Sequence, residues 1–260
     1  MPPASPVRPA FSDEEIARLL ELMKGSDSVE LKLTVPQSHQ RSTLGSLGMD
    51  PLDAQIRQVF FFDTPDLTLN KHGVVVRARR MQVKGGDSVV KLRPVVPTEL
   101  PKKLRKSESF RVEVDAMPTG FVCSGTLKGA PSVDDVRNAV AGKQPLRTLF
   151  SKDQQALFAE HAPEGIALDE LTVLGPIFVL KLRFTPPDLK RRIVAEMWLY
   201  PDGERLLELS TRCTTAEAFQ VAVETRAFLS GHGVDLSGDQ ETKTHKALEY
   251  FASVLREGET

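Results

Sequence analysis

Eight short stretches of this chain alternate apolar with polar residues, and most of the polar positions are Lys, Arg, Glu or Asp. In Phe110 to Asp115, the residues Phe110, Val112 and Val114 point one way and Arg111, Glu113 and Asp115 the other. Successive side chains of a strand face opposite sides, so a period of two lays a charged row along one sheet face. The pattern recurs in Ser28 to Val35, Val74 to Arg80, Val89 to Arg93, Ile177 to Phe184, Arg192 to Leu199 and Leu206 to Arg212, and Gln58 to Asp63 completes the set. An ordinary half-exposed strand carries Thr, Ser and Gln among scattered charges. Repeated basic pairs with lone carboxylates opposite suit a surface that holds a polyanion and a metal ion.

Between these strands lie helical patterns. Ser12 and Glu15 form a capping box ahead of Ile16, Leu19, Leu20 and Met23 at helical spacing, and Gly25 ends the run. Ser132 and Ser151 each cap a helix, Thr215 caps an amphipathic helix through Leu229, and a last helix is expected from about Thr242 to Leu255. Residues 37–57 read as a polar loop with one short helix near Ser42 to Leu47. Pro94 to Ser107 reads as a Pro- and Lys-rich insertion. Gly85-Gly86 and Asp202-Gly203 mark hairpin turns. The Pro-rich stretch 1–11 is expected to be a disordered tail, and 12–256 a single domain.

The strands have apolar faces to bury, and the helices have apolar stripes to cover. Turning the apolar strand faces outward beneath the helices closes the charged faces into a barrel interior. The expected class is therefore mainly β (α+β): an eight-stranded antiparallel closed barrel with a charged interior, covered outside by amphipathic helices. Unpaired buried charges are too costly to keep without a ligand, so such an interior is a binding site.

Composition narrows the partner. Lys and Arg total 34 against 35 Asp and Glu, a formal net charge of -1. A nucleic-acid-binding domain would be net basic, so none is expected and any strong positive field is local. Cys123 and Cys213 make neither a disulfide framework nor a metal-spaced set, which suits a reducing compartment. No apolar run approaches the ~18 residues of a membrane span. A cytoplasmic monomer or homodimer is expected.

The inward basic residues are Lys32, Arg77, Arg79, Lys91, Arg93, Lys181 and Arg183, with Arg111, Arg212 and Lys243 less firmly placed. Arg grips phosphate oxygens through two bonds and Lys acts as a point charge. Glu30, Glu113, Asp115, Glu196 and Glu208 share those faces, and carboxylate oxygens suit Mg²⁺ or Mn²⁺. The competing reading is a solvated face of cross-strand ion pairs, each worth less than ~1 kcal/mol.

These segments resemble the CYTH domains, also called triphosphate tunnel metalloenzymes. Val29-Glu30-Leu31-Lys32-Leu33 is similar to the first-strand signature, and Phe61-Phe62-Asp63-Thr64-Pro65 to the aromatic-Phe-Asp-Thr-Pro segment. Gly73 through Arg79 fits the Gly-x-x-x-Arg-x-Arg strand. Lys91-Leu92-Arg93, Glu113-Val114-Asp115, Lys181-Leu182-Arg183, Glu196, Glu208 and Lys243 follow in order, so the resemblance spans about residues 27 to 250. Two departures stand out. Ser28 occupies the place of the first acid of Glu-x-Glu-x-Lys, and Ser210 that of the second acid of a later Glu-x-Glu pair.

The resemblance implies a tunnel that binds triphosphates lengthwise and cleaves or rearranges them with a divalent metal. Lys32, Arg77, Arg79, Lys91, Arg93, Lys181, Arg183 and Lys243 would hold phosphates. Glu30, Glu113, Asp115, Glu196 and Glu208 would bind Mg²⁺ or Mn²⁺ or position water, with Glu30 and Lys32 as the catalytic pair. Hydrolysis of a triphosphate is the leading expectation, with inorganic tripolyphosphate before nucleoside or thiamine triphosphate. A class IV-like adenylate cyclase and a catalytically weak polyphosphate- or nucleotide-binding protein stay open, the last because of Ser28 and Ser210.

Overall fold

The computed structural model describes residues 12–235 and 243–258. The tail expected at 1–11 and the helix start expected at Thr242 lie outside the described residues. Among these described residues nine strands, β1 (Ser28–Val35), β2 (Gln55–Asp63), β3 (Val74–Met81), β4 (Gly85–Leu92), β5 (Phe110–Met117), β6 (Gly120–Gly129), β7 (Thr172–Phe184), β8 (Ile193–Leu199) and β9 (Arg205–Cys213), close into one barrel. Their order around it is β1-β5-β6-β4-β3-β2-β7-β8-β9, with β9 returning to β1.

The expected eight antiparallel strands are thus corrected to nine with one parallel pair. β6 escaped the pattern search because Gly120, Gly125 and Gly129 interrupt a strand whose other residues include Cys123, Ser124 and Thr126. Gly125 and Gly129 are needed there. A Cβ would meet the Phe110 ring at 2.6 Å in the first case and Gln154 Oε1 at 2.3 Å in the second. The parallel pair follows from parity: strand directions cannot alternate all the way round an odd ring. The seam falls between β1 and β5, where Ser28 pairs with Glu113 and Glu30 with Asp115.

The helices are α1 (Asp13–Met23), α2 (Gln40–Ser46), α3 (Thr68–Lys71), α4 (Lys102–Arg105), α5 (Val133–Val140), α6 (Lys152–His161), α7 (Ala218–Gly231) and α8 (Lys243–Gly258). The capping boxes at Ser12, Ser132 and Ser151 all form. Ahead of α7 the cap sits one residue earlier than expected: Thr214, whose hydroxyl donates to Glu217 at 2.7 Å. Outward-facing Val74, Val76, Ala78, Val112 and Val114 pack with Val136 and Ala139 of α5 and with Leu157 and Phe158 of α6. Leu33, Leu207 and Leu209 pack with Leu229 of α7.

α8 departs from the outer-cover expectation. Its Ala247, Leu248 and Ala252 pack with Val59, Phe61, Val179, Trp198 and Leu206. Those five side chains share the inward parity of Arg57, Lys181, Glu196 and Glu208, so α8 seats on an apolar patch inside the barrel wall. Tyr200 fastens its first turn, donating its hydroxyl to the Lys243 carbonyl at 3.2 Å. Among the described residues no helix is long and apolar enough to cross a membrane. Both cysteines are free and buried.

Candidate functional site

The inward faces enclose a cavity of about 830 Å³, within the usual size range of small-molecule sites. Lys and Arg outnumber Asp and Glu on its lining by more than two to one. Every predicted phosphate-binding residue, Lys32, Arg77, Arg79, Lys91, Arg93, Lys181, Arg183 and Lys243, lines it, as do Glu30, Glu113, Glu196, Glu208 and the less firmly placed Arg111 and Arg212. Asp115 stands behind this surface, 1% exposed, and meets it through ion pairs.

β1, β5 and β9 form one wall. Glu30, Glu113 and Asp115 bring carboxylate oxygens that all lie within 4.8 Å of one another. Lys32 Nζ sits 2.7 Å from Asp115 and 3.2 Å from Glu30, while Lys91 and Arg93 approach Asp115 at 3.5 and 3.4 Å. Arg212 reaches Glu113 at 2.5 Å. The two serines that depart from the family pattern point at this cluster: Ser28 Oγ donates to Glu113 at 3.1 Å and Ser210 Oγ to Glu30 at 3.2 Å.

Burial alone would raise all three carboxyls. At Asp115 the neighbouring Lys32, Lys91 and Arg93 overturn it and hold the group well below the ordinary aspartate range. Lys32 and Lys243 do the same at Glu30. At Glu113, burial and the Glu30 charge win, and its carboxyl is raised. Lys32, buried among anions, is raised above the ordinary lysine value, Asp115 and Glu30 outweighing burial.

The other two acids form a separate cluster. Glu196 and Glu208 pair across β8 and β9. Lys181 holds Glu196 at 2.5 Å, and Lys243 bridges Glu196 and Glu208, the latter at 2.7 Å. The five predicted metal ligands therefore divide into a triad and a lysine-neutralised pair. The triad offers only hard oxygen donors at short mutual distance, and neither Asp115 oxygen is satisfied by a hydrogen bond. That donor set fits Mg²⁺ or Mn²⁺. Burial lowers Lys181 to about 8, only partly offset by Glu196, and lowers Lys91 to about 8, only partly offset by Asp115.

β3 and β2 lie farthest round from β1, and β7 beside β2 completes that wall. It carries Lys181 and Arg183, Arg57, and Arg77 and Arg79. Arg79 donates to Asp87, from Nε at 2.8 Å. Arg57 and Arg77 each keep a buried Nε without a hydrogen-bond partner. Among the described residues no carboxylate lies within ion-pair distance of Arg57, Arg77 or Arg183, and burial lowers Arg77 to about 10. The bore is thus polarised, with acids on one wall and uncompensated guanidinium groups on the other.

Two cations of the lining were not foreseen. Arg57 falls in the stretch expected as a polar loop, residues 37–57, because the apolar run starts at Val59, yet β2 begins at Gln55. Lys128 lies on the unrecognised β6. Asp63 of the Phe-Asp-Thr-Pro segment is not in the bore. Buried, it accepts from the backbone N–H of Leu69 at 2.8 Å and Asn70 at 3.0 Å, fixing the α3 turn that leads into β3. Gly73 follows at φ +74°, its Cα so close to the Arg93 carbonyl that a Cβ would stand 2.6 Å from that oxygen. Trp198 is buried against Phe61 beneath Lys243, and His245 reaches the lining. Arg105, in the Pro- and Lys-rich insertion, donates to Asp27 and to the Gly25 carbonyl.

No family model matches the chain, and no curated protein matches it. Solved structures do. One is a candidate adenylate cyclase from Bacillus halodurans, 14% identical with a TM-score of 0.60 over 85% of this chain and 97% of that one. Another is a candidate adenylyl cyclase from Hippeastrum with a dominant triphosphatase activity, 18% identical with a TM-score of 0.58 over 82% of this chain and 91% of that one. At these identities the likeness is one of architecture: the chain has the fold of these two proteins.

Proposed function

We propose that this chain is a CYTH-type triphosphate tunnel hydrolase, cleaving inorganic tripolyphosphate by preference and nucleoside or thiamine triphosphate after it. The observation that carries this reading is the polarised bore: an acid triad faces guanidinium groups of Arg57, Arg77 and Arg183 that have no carboxylate within ion-pair distance among the described residues. A linear polyanion supplies their counter-charge. Trp198 is occupied by Phe61 and covered by α8, so the one Trp of the described lining offers no free face to a base, which favours the inorganic chain.

In this mechanism Arg77 and Arg183 grip phosphate oxygens from one wall while Lys32, Lys91 and Arg93 hold the chain from the other. Glu30, Glu113 and Asp115 would hold Mg²⁺ or Mn²⁺, which supplies charge neutralisation at the phosphate oxygens and a more acidic water. Glu30, kept ionised by Lys32, orients the attacking water. Glu113 has the raised proton affinity and is the better acceptor of the proton released as the new P–O bond forms and the bridging P–O bond breaks. Lys32 and its neighbours neutralise the departing pyrophosphate. Glu196 and Glu208, already bridged by Lys243, act as a brace rather than as ligands.

Phosphate release from tripolyphosphate, ATP and thiamine triphosphate, each with Mg²⁺ and with Mn²⁺, tests the proposal. Orthophosphate from tripolyphosphate, abolished in Lys32→Ala and Arg77→Ala, is the expected result. Full activity in those variants would refute the site. The likeness to a candidate adenylate cyclase from Bacillus halodurans favours a second reading, nucleotide cyclisation, whereas the Hippeastrum protein's dominant triphosphatase activity favours hydrolysis; pyrophosphate with a cyclic nucleotide from ATP would establish cyclisation instead.

A further inference from the structure

We infer that Arg57 is a substrate-contacting residue that helps the bore select a linear polyphosphate anion, an inference that rests on the triphosphate reading above. Arg57 lies on β2 and is only 4% exposed, yet it lines the cavity and its buried Nε has no hydrogen-bond partner among the described residues. Its neighbours make its charge harder to keep. Arg79, across the adjoining strand, is already committed to Asp87, and burial followed by Arg79 pulls the Arg57 guanidinium down, with Arg183 adding to the effect. The nearby anions Glu196 and Asp87 are held by other cations.

A protein built only to be stable gains nothing from this placement. A buried charge without a counter-ion costs several kcal/mol, and a neutral residue of similar length would remove that cost. The position makes sense when a multiply charged anion fills the bore. Arg57 then finds its partner, and the repulsion within the Arg57, Arg79 and Arg183 group becomes attraction to the ligand. A charge-assisted bond to such an anion is among the stronger ones.

The inference separates affinity from stability by sign. Inorganic tripolyphosphate is titrated into wild type, Arg57→Gln and Arg57→Lys in the presence of a metal chelator, and melting temperatures are read without ligand. Arg57→Gln is expected to weaken tripolyphosphate binding roughly 10- to 100-fold and to raise the ligand-free melting temperature. Arg57→Lys should restore part of the affinity. Unchanged affinity in Arg57→Gln overturns the assignment. So does a lowered melting temperature with an affinity loss that Lys fails to relieve, which would mark a structural residue. If wild type itself takes up no tripolyphosphate, the triphosphate reading falls along with this one; if wild type binds and only the variants behave otherwise, Arg57 alone is misassigned.

Discussion

Replacing Asp115 by Asn removes the anion that three cations share while keeping its shape. Lys32, Lys91 and Arg93 stand 2.7, 3.5 and 3.4 Å from its carboxylate, which is 1% exposed. At an effective dielectric of about 20, one such contact is worth roughly 5 kcal/mol of Coulomb attraction. Lys32 retains Glu30 at 3.2 Å, so part of the loss is recovered, and breaking a buried charge network by one partner generally costs ~3–5 kcal/mol. For a domain of this size each kcal/mol moves the melting temperature by about 2–4 °C, so calorimetry in chelator should show a fall of roughly 6–20 °C. Saturating tripolyphosphate returns a counter-charge to the same cations, and the gap between variant and wild type should narrow. A fall under about 2 °C, or a gap unchanged by tripolyphosphate, would refute the claim that Asp115 balances a ligand-binding charge cluster.

Raising pH through 8 should weaken tripolyphosphate binding in a calorimetric titration, because Lys91 and Lys181, lowered to about 8, lose their charges there. Ligand-free stability should move oppositely: between about 8 and the ordinary lysine value these groups bind more protons unfolded than folded, so that contribution rises with pH. Lys32 and Lys243, raised instead, add no slope over most of this window and oppose the rise only near its upper end, where the unfolded lysines begin to lose protons first. Ser210→Glu sets a second carboxylate beside Glu30, replacing a 3.2 Å hydrogen bond. Mn²⁺ titration should then show tighter metal binding while tripolyphosphate alone binds more weakly. Gly73→Ala forces a positive φ on an L side chain and a Cβ against the Arg93 carbonyl, so chemical denaturation should show a loss of about 2 kcal/mol or more.

Most of the charged lining was legible because a period of two leaves no ambiguity about which residues share a face. Lys32, Arg77, Arg79, Lys91, Arg93, Lys181 and Arg183 all fall on inward positions for that reason. What escaped had weak local signals. β6 is broken by three glycines whose role, close approach to Phe110 and Gln154, exists only in the assembled barrel. Arg57 precedes its strand's apolar run, so nothing in its neighbours distinguishes it from a loop arginine. The division of the acids into a triad and a lysine-bridged pair depends on register between strands distant in sequence, such as Glu113 beside Ser28 and Glu208 beside Glu196. α8 has an amphipathic pattern that specifies an apolar contact without saying on which side of the wall it lies.

The most direct measurement is calorimetric titration of inorganic tripolyphosphate into the wild-type protein, repeated with Arg77→Gln. Arg77 lines the bore, is half-buried and has a buried Nε with no hydrogen-bond partner among the described residues. Saturable binding of one tripolyphosphate per chain, weakened at least tenfold by the substitution, is the predicted result. Absence of binding to wild type, or equal binding by both proteins, would contradict a bore whose uncompensated arginines await a phosphate chain.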